Sequence, residues 1–179
     1  MLLKKHKNKV GNKFNNQKTN ISFSSCINSL NISAQKAVLR IIDANLNRCR
    51  EGLRVVEDSL RFVLNDGKLY KKVRTVRHNT DKILRNVYDT IIKERDSFGD
   101  SGRQMSETSK KDLRSILVAN FKRAQESLRV LEEYSKNFYP EFPSEFKKQR
   151  YETYMIEKEV YLKYEDFFVA RYTNRKTFK

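Results

Sequence analysis

One stretch of 15 residues occurs twice in the chain. Residues 44–58 read ANLNRCREGLRVVED and residues 119–133 read ANFKRAQESLRVLEE, with eight identities at an offset of 75. Background residue frequencies would give about one identity. The shared positions are Ala44/Ala119, Asn45/Asn120, Arg48/Arg123, Glu51/Glu126, Leu53/Leu128, Arg54/Arg129, Val55/Val130 and Glu57/Glu132. Five of the eight are polar or charged, which core packing alone does not call for. The chain is therefore expected to be organised around two related elements.

Both copies carry a helical period. Ile42, Leu46, Cys49, Leu53, Val56 and Leu60 alternate at spacings of four and three, which is an apolar seam. Leu117, Phe121, Ala124, Leu128 and Leu131 repeat that seam. At about 100° per residue, Ile41, Ala44, Val55 and Phe62 form a second stripe on the first helix, which suits a central position in a bundle. That helix is expected from Ser33, a fitting N-cap, to Asn65, with Gly67 of Asp66-Gly67 in the left-handed position past its end. A second is expected over 68–95, a third from Ser109 to Tyr139 before Pro140, and a fourth from Ser144 to Tyr164. With only five Gly and two Pro, a loop-rich β fold is disfavoured. Short connections between long helices imply antiparallel neighbours. The expected fold is thus an all-α antiparallel helical bundle with an internal pseudo-twofold repeat.

The net charge of +16 could suggest a nucleic-acid partner, but its distribution argues otherwise. Residues 1–42 hold eight Lys/Arg and no acid, and residues 167–179 hold four and no acid. The span between them carries 26 basic against 22 acidic groups. The basic excess lies mostly in the ends, so a folded nucleic-acid-binding surface is disfavoured. Three regions follow: a disordered basic N-terminal tail over 1–30, a helical domain over 31–165, and a basic C-terminal tail over 166–179. The N-terminal tail is rich in Lys, Asn and Ser, as in disordered segments or organelle transit peptides; the absence of Arg before Arg40 counts against transit. No apolar run exceeds four residues, so no membrane span is expected. Two cysteines, Cys26 and Cys49, are too few for a disulfide framework or a four-ligand zinc site and suggest a reducing compartment.

The polar residues of the repeat have two readings. Arg48–Glu51 and Arg54–Glu57 could be i,i+3 ladders in solvent, worth a few tenths of a kcal/mol. Such ladders tolerate substitution, and so do not account for identity in both copies. Asn45, Arg48 and Gly52, with Asn120, Arg123 and Ser127, fall between apolar stripes, where the two helices could face each other across a polar cleft. Gly52 and Ser127 are small enough to let them approach closely. The segment 95–102, RDSFGDSG, is the long interior loop. It reads as an ordinary polar turn, or as a site in which Asp96 and Asp100 hold Mg²⁺ and the backbone near Gly99 and Gly102 wraps phosphate oxygens. His78, beside Arg77, reads as a surface or a catalytic histidine. No Walker loop, dinucleotide fingerprint, kinase catalytic loop, nucleophile elbow or zinc signature is present.

IDANLNRCREGLRVVED, RDSFGDSG and ANFKRAQESLRVLEEYSK occur in an order that resembles the helical module found N-terminal to thiamine-phosphate synthase in cyanobacteria and other bacteria. FKKQRYETY resembles the module's closing helix. The resemblance covers roughly residues 38–163. It implies a hydroxymethylpyrimidine phosphate kinase, which moves the γ-phosphoryl of ATP onto the pyrimidine monophosphate with Mg²⁺. It also implies a cytoplasmic or plastid-stromal protein, with a separate thiamine-phosphate synthase as a possible partner. The synthase barrel of the fusions is missing from this sequence, so synthase activity is not expected. On these positions, phosphate-binding forks would come from Arg48, Arg123, Arg77 and Arg95, with His78 beside them. Asn45 or Asn120 could read the aminopyrimidine edge. Glu57 or Glu132 could pair with its amine or orient an arginine, and Asp96 and Asp100 would serve the metal. The competing reading is a non-catalytic module that binds thiamine pathway intermediates or docks on the synthase.

Overall fold

The computed structural model describes residues 32–104, 110 and 112–174. The N-terminal tail expected over 1–30 lies outside them, as does Cys26. The described residues form helices and no strand: α1 (Ile32–Asp58), α2 (Gly67–Ile83), α3 (Tyr88–Lys93), α4 (Leu113–Ser135), α5 (Pro143–Lys163) and α6 (Glu165–Asn174). The fold is all-α. Among the described residues no helix is long and apolar enough to cross a membrane.

The four long helices form a ring. α1 packs on α2 and α4, and α5 packs on both α4 and α2. Ion pairs fix their directions. Asp66, ahead of α2, meets Lys163 at the end of α5, and Lys72 meets Glu159. Arg50–Asp81 joins α1 to α2, and Arg150–Glu132 joins α5 to α4. Neighbours are antiparallel throughout. The core lies where the expected seams meet: Leu46, Leu53 and Val56 of α1 and Leu60 just past its end, against Leu69 and Val73 of α2, Phe121 and Leu128 of α4, and Phe146 and Ile156 of α5, are all buried. Each such side chain contributes about 1.5–3 kcal/mol by leaving water.

Several expectations are corrected. The second stripe on α1 is not a buried face, because Val55 and Phe62 are exposed. α1 ends at Asp58 and widens into a π-turn over Ser59–Val63, closed by hydrogen bonds from Leu64 N–H to Ser59 C=O and from Asp66 N–H to Leu60 C=O. The left-handed residue is Asn65 (φ 50°), not Gly67. Asparagine tolerates that conformation, and Gly67 instead begins α2. Asp66 is the N-cap, its carboxylate accepting from the N–H groups of Lys68 and Leu69. The helix expected over 68–95 breaks after Ile83 into a 3₁₀ turn (Arg85–Val87) and α3. The bend buries Leu84 and Ile91 and delivers Arg95 to Asp43 of α1. α4 begins later than Ser109, because Asp112 caps it reciprocally with Ser115. The segment read as a C-terminal tail starts within α6, where Phe168 is buried and packs against Tyr164. Cys49 is a free, buried thiol, and burial pushes its pKa up to about 12 with help from Asp81, so it is not a nucleophile at neutral pH.

Candidate functional site

The two glutamates of the repeat are buried, and each is held by arginines. Glu57 is 1% exposed and accepts hydrogen bonds from Arg77 Nε (2.8 Å), Arg74 Nη1 (3.4 Å) and Arg54 Nη1 (3.4 Å). Glu132 is 6% exposed and accepts from Arg150 Nη2 (2.8 Å) and Nε (3.1 Å) and from Arg129 Nη1 (2.9 Å). In each copy the carboxylate is surrounded by the arginine three residues earlier and by arginines of the following long helix, two for Glu57 and one for Glu132. A buried carboxylate requires such pairing, because desolvation alone costs several kcal/mol. Of the two roles considered for Glu57 and Glu132, this geometry has them orienting arginines. It also commits Arg77 to Glu57.

Arg95 is committed as well. Its Nε and Nη2 bind both oxygens of the buried Asp43 at 2.7 and 2.6 Å. The hydrogen bonds it donates to Asp43 raise the arginine's pKa further above its usual value, against the opposing effect of burial. This fork anchors the start of the loop to α1. Arg40 reinforces it, reaching Asp96 Oδ2 at 3.4 Å. Within the loop, Asp96 Oδ1 accepts from Gly99 N–H (2.8 Å) and Asp100 Oδ1 accepts from Gly102 N–H (2.9 Å). Both aspartates thus shape the turn, and a Cβ at Gly99 would lie 2.4 Å from Asp96 Oδ2. No group of three metal-ligating side chains occurs among the described residues. A Mg²⁺ ion takes one or two carboxylates, and of these two aspartates Asp100 keeps a second oxygen with no partner among the described residues.

α1 and α4 pack together as the small residues suggested. A Cβ at Gly52 would lie 2.9 Å from the Asn120 carbonyl oxygen and 3.5 Å from the Ala124 nitrogen. Backbones in contact leave no open cleft at that level, which corrects the expected gap between these helices. Asn45 and Asn120 behave alike, each donating its amide N–H to the carbonyl four residues back, Ile41 at 2.9 Å and Ile116 at 2.8 Å. Arg48 and His78 are exposed, and Arg123 is half-buried.

Asp43, Arg74, Arg150 and Asp66 were not singled out in the sequence, although each organises a charged cluster. A signal existed for two of them. YKKVR (70–74) and FKKQR (146–150) match at an offset of 76, placing Arg74 and Arg150 at equivalent positions.

Residues 40–159 match the ThiD2 family. The thiamine-phosphate synthase of Rhodopirellula baltica is 42% identical over 133 residues, covering 72% of this chain and 35% of that protein. The thiamine-phosphate synthase of Nostoc punctiforme is 40% identical over 128 residues, covering 69% of this chain and 35% of that protein. The chain thus spans about a third of the length of these relatives. No solved structure matches it.

Proposed function

The chain belongs to the ThiD2 family, and on that premise we propose that it serves thiamine biosynthesis as an ATP-dependent hydroxymethylpyrimidine phosphate kinase. One observation supports this most directly. Of the basic side chains of α1, Lys36, Arg40, Arg50 and Arg54 all pair with carboxylates. Arg48 has no such partner among the described residues. It is repeated in sequence as Arg123, so an exposed guanidinium fork stands ready for an anionic ligand.

In the proposed reaction, a phosphate oxygen of the pyrimidine monophosphate forms a bond to Pγ of ATP as the bond from Pγ to the ADP oxygen breaks. The acceptor is already ionised, so no proton need be removed. Catalysis is then mainly positioning and charge stabilisation, the role of Arg48 with Arg123. Asn45 and Asn120 spend an N–H on their own helices and keep the side-chain oxygen for the pyrimidine amine. The free oxygen of Asp100 would hold Mg²⁺, which neutralises phosphate charge when bound.

The test is a coupled assay for ADP with purified protein, ATP and the pyrimidine monophosphate. Arg48→Lys replaces a fork with a point charge. Losing a charged hydrogen bond worth about 1.5–3 kcal/mol in the transition state lowers turnover roughly ten- to hundredfold. Asp100→Asn keeps the acceptor that Gly102 uses and should raise the Mg²⁺ requirement. Turnover unchanged in both variants would move the site elsewhere. Absence of turnover in the wild type would favour the second reading, a non-catalytic module docking on a synthase. That reading draws on the exposed Tyr151, Met155 and Leu162 along α5.

A further inference from the structure

α5 is apolar on two opposite faces. Phe146, Ile156 and Val160 face the core and are buried. At about 100° per residue, Tyr151, Met155, Lys158 and Leu162 fall on the far side, at spacings of four, three and four. Tyr151, Met155 and Leu162 are 55%, 63% and 61% exposed. Tyr154 and Tyr161, also exposed, flank them on the side of α4, where Arg114 lies over the Tyr161 ring. A helix that packs on one side needs one apolar stripe; the second stripe has the heptad spacing of a seam between paired helices. Its rings are already ordered. The Arg150 guanidinium lies 5.0 and 5.7 Å from the centroids of Tyr151 and Tyr154, and the two rings meet edge to face at 5.9 Å. The ends of this face carry opposite charges. Lys147 and Lys148 stand near its N-terminal end, and Glu165 and Asp166 follow its C-terminal end. All four are exposed, and none makes an ion pair among the described residues.

We propose that this face binds a second copy of the chain, α5 against α5, antiparallel about a twofold axis. A twofold contact requires a surface that complements itself, and this one does. When Tyr151 lies opposite Leu162 of the second copy, Met155 lies opposite its Lys158. The same register sets Lys148 opposite Glu165 and Lys147 opposite Asp166. Apolar and charged layers thus agree on one alignment, an agreement that a partner of unrelated sequence would not require. Lys158 in the seam fixes that register at a cost in stability, its stem covering Met155 while the ammonium reaches water. Glu152 falls near Glu159 of the second copy, where Lys72 already neutralises Glu159. The exposed apolar side chains leave roughly 500 Å² of surface, large for one contiguous patch on a monomer. The lysine stems bring the face toward the roughly 800 Å² per copy that a stable dimer buries, and tyrosine and methionine are enriched in such contacts. α5 lies across the ring from α1, so this dimer leaves Arg48 open.

The experiment is sedimentation equilibrium of the full chain over a range of concentrations. Wild type, Leu162→Glu, Lys148→Glu and the double variant Lys148→Glu with Glu165→Lys are compared. All three positions are exposed, and circular dichroism confirms the fold of each variant. The wild type should pass from monomer to dimer in the micromolar range. Leu162→Glu should raise the dissociation constant roughly tenfold or more. Lys148→Glu should raise it several-fold, and the double variant should restore it, because both pairs of the dimer are then reversed together. A wild type that stays monomeric at millimolar concentration overturns the proposal and leaves the face to a partner of another sequence. A dimer indifferent to Leu162→Glu overturns it too, as does one that the exchanged charges fail to restore. The readout does not involve turnover, so its failure and that of the kinase reading are distinguishable.

Discussion

Gly52→Ala sets two opposing effects against each other within α1. Alanine is a better helix former than glycine by about 1 kcal/mol, which on an isolated helix would stabilise. The new methyl, however, would stand 2.9 Å from the Asn120 carbonyl oxygen. That neighbour is backbone and cannot rotate away, so α1 and α4 must separate. Overpacking of this kind costs about 1–3 kcal/mol, and a rigid backbone contact belongs in the upper half of that range. The net loss is then about 1–2 kcal/mol. At roughly 2–4 °C per kcal/mol for a chain of this size, the thermal midpoint should fall by about 2–8 °C. Gly67→Ala is the internal control, because nothing lies within 4 Å of its added methyl and its φ is not positive. Thermal unfolding followed by circular dichroism compares the two. A midpoint that rises in Gly52→Ala as much as in Gly67→Ala would refute the close contact of α1 and α4.

Two further outcomes follow from the charged clusters. Burial acts to raise the Asp66 pKa, but hydrogen bonds from Lys163, the Leu69 N–H and Tyr164 outweigh it and bring the pKa down to about 2, from an ordinary 3.8. The stabilisation is therefore complete above the ordinary value and is lost as pH falls toward 2; it amounts to about 2 kcal/mol. Urea unfolding between pH 5 and pH 2 should show this decline, and Asp66→Asn should flatten it while keeping a competent N-cap. Glu132→Ala strands the nearly buried Arg150 and should cost about 3–5 kcal/mol, whereas Glu51→Gln, exposed on α1, should stay within about 0.5 kcal/mol; equal effects in denaturant melts would contradict the contrast.

The helices were legible because the seam from Ile42 to Leu60 is regular and its burial is decided by period alone. The ends were less so. Asn65, two residues before Gly67, took the left-handed position after the π-turn over Ser59–Val63, and no local pattern announces a π-turn. The break after Ile83 depends on a distant partner, Asp43, which draws Arg95 across α1. The roles of Glu57 and Glu132 were undecidable from spacing, since a ligand-facing and an arginine-facing carboxylate share the same position on a helix. Only the approach of Arg74, Arg77 and Arg150 from the adjacent helices separates them.

That separation also changes what the repeat means. Glu57 and Glu132, with Arg54 and Arg129, recur because a buried carboxylate next to a neighbouring helix needs the same cations in either copy. Asn45 and Asn120 recur with the same bond to the preceding turn. These identities have structural causes. Arg48, Glu51 and Glu126 do not: all three are exposed, and the i,i+3 pair Arg48–Glu51 does not form, although Arg54–Glu57 does. Solvated side chains with no bonded partner among the described residues are free to differ between copies without cost to the fold. The identity of Glu51 with Glu126 has no structural explanation, whereas on the proposed reading the exposed Arg48 guanidinium is where an anionic ligand would be held.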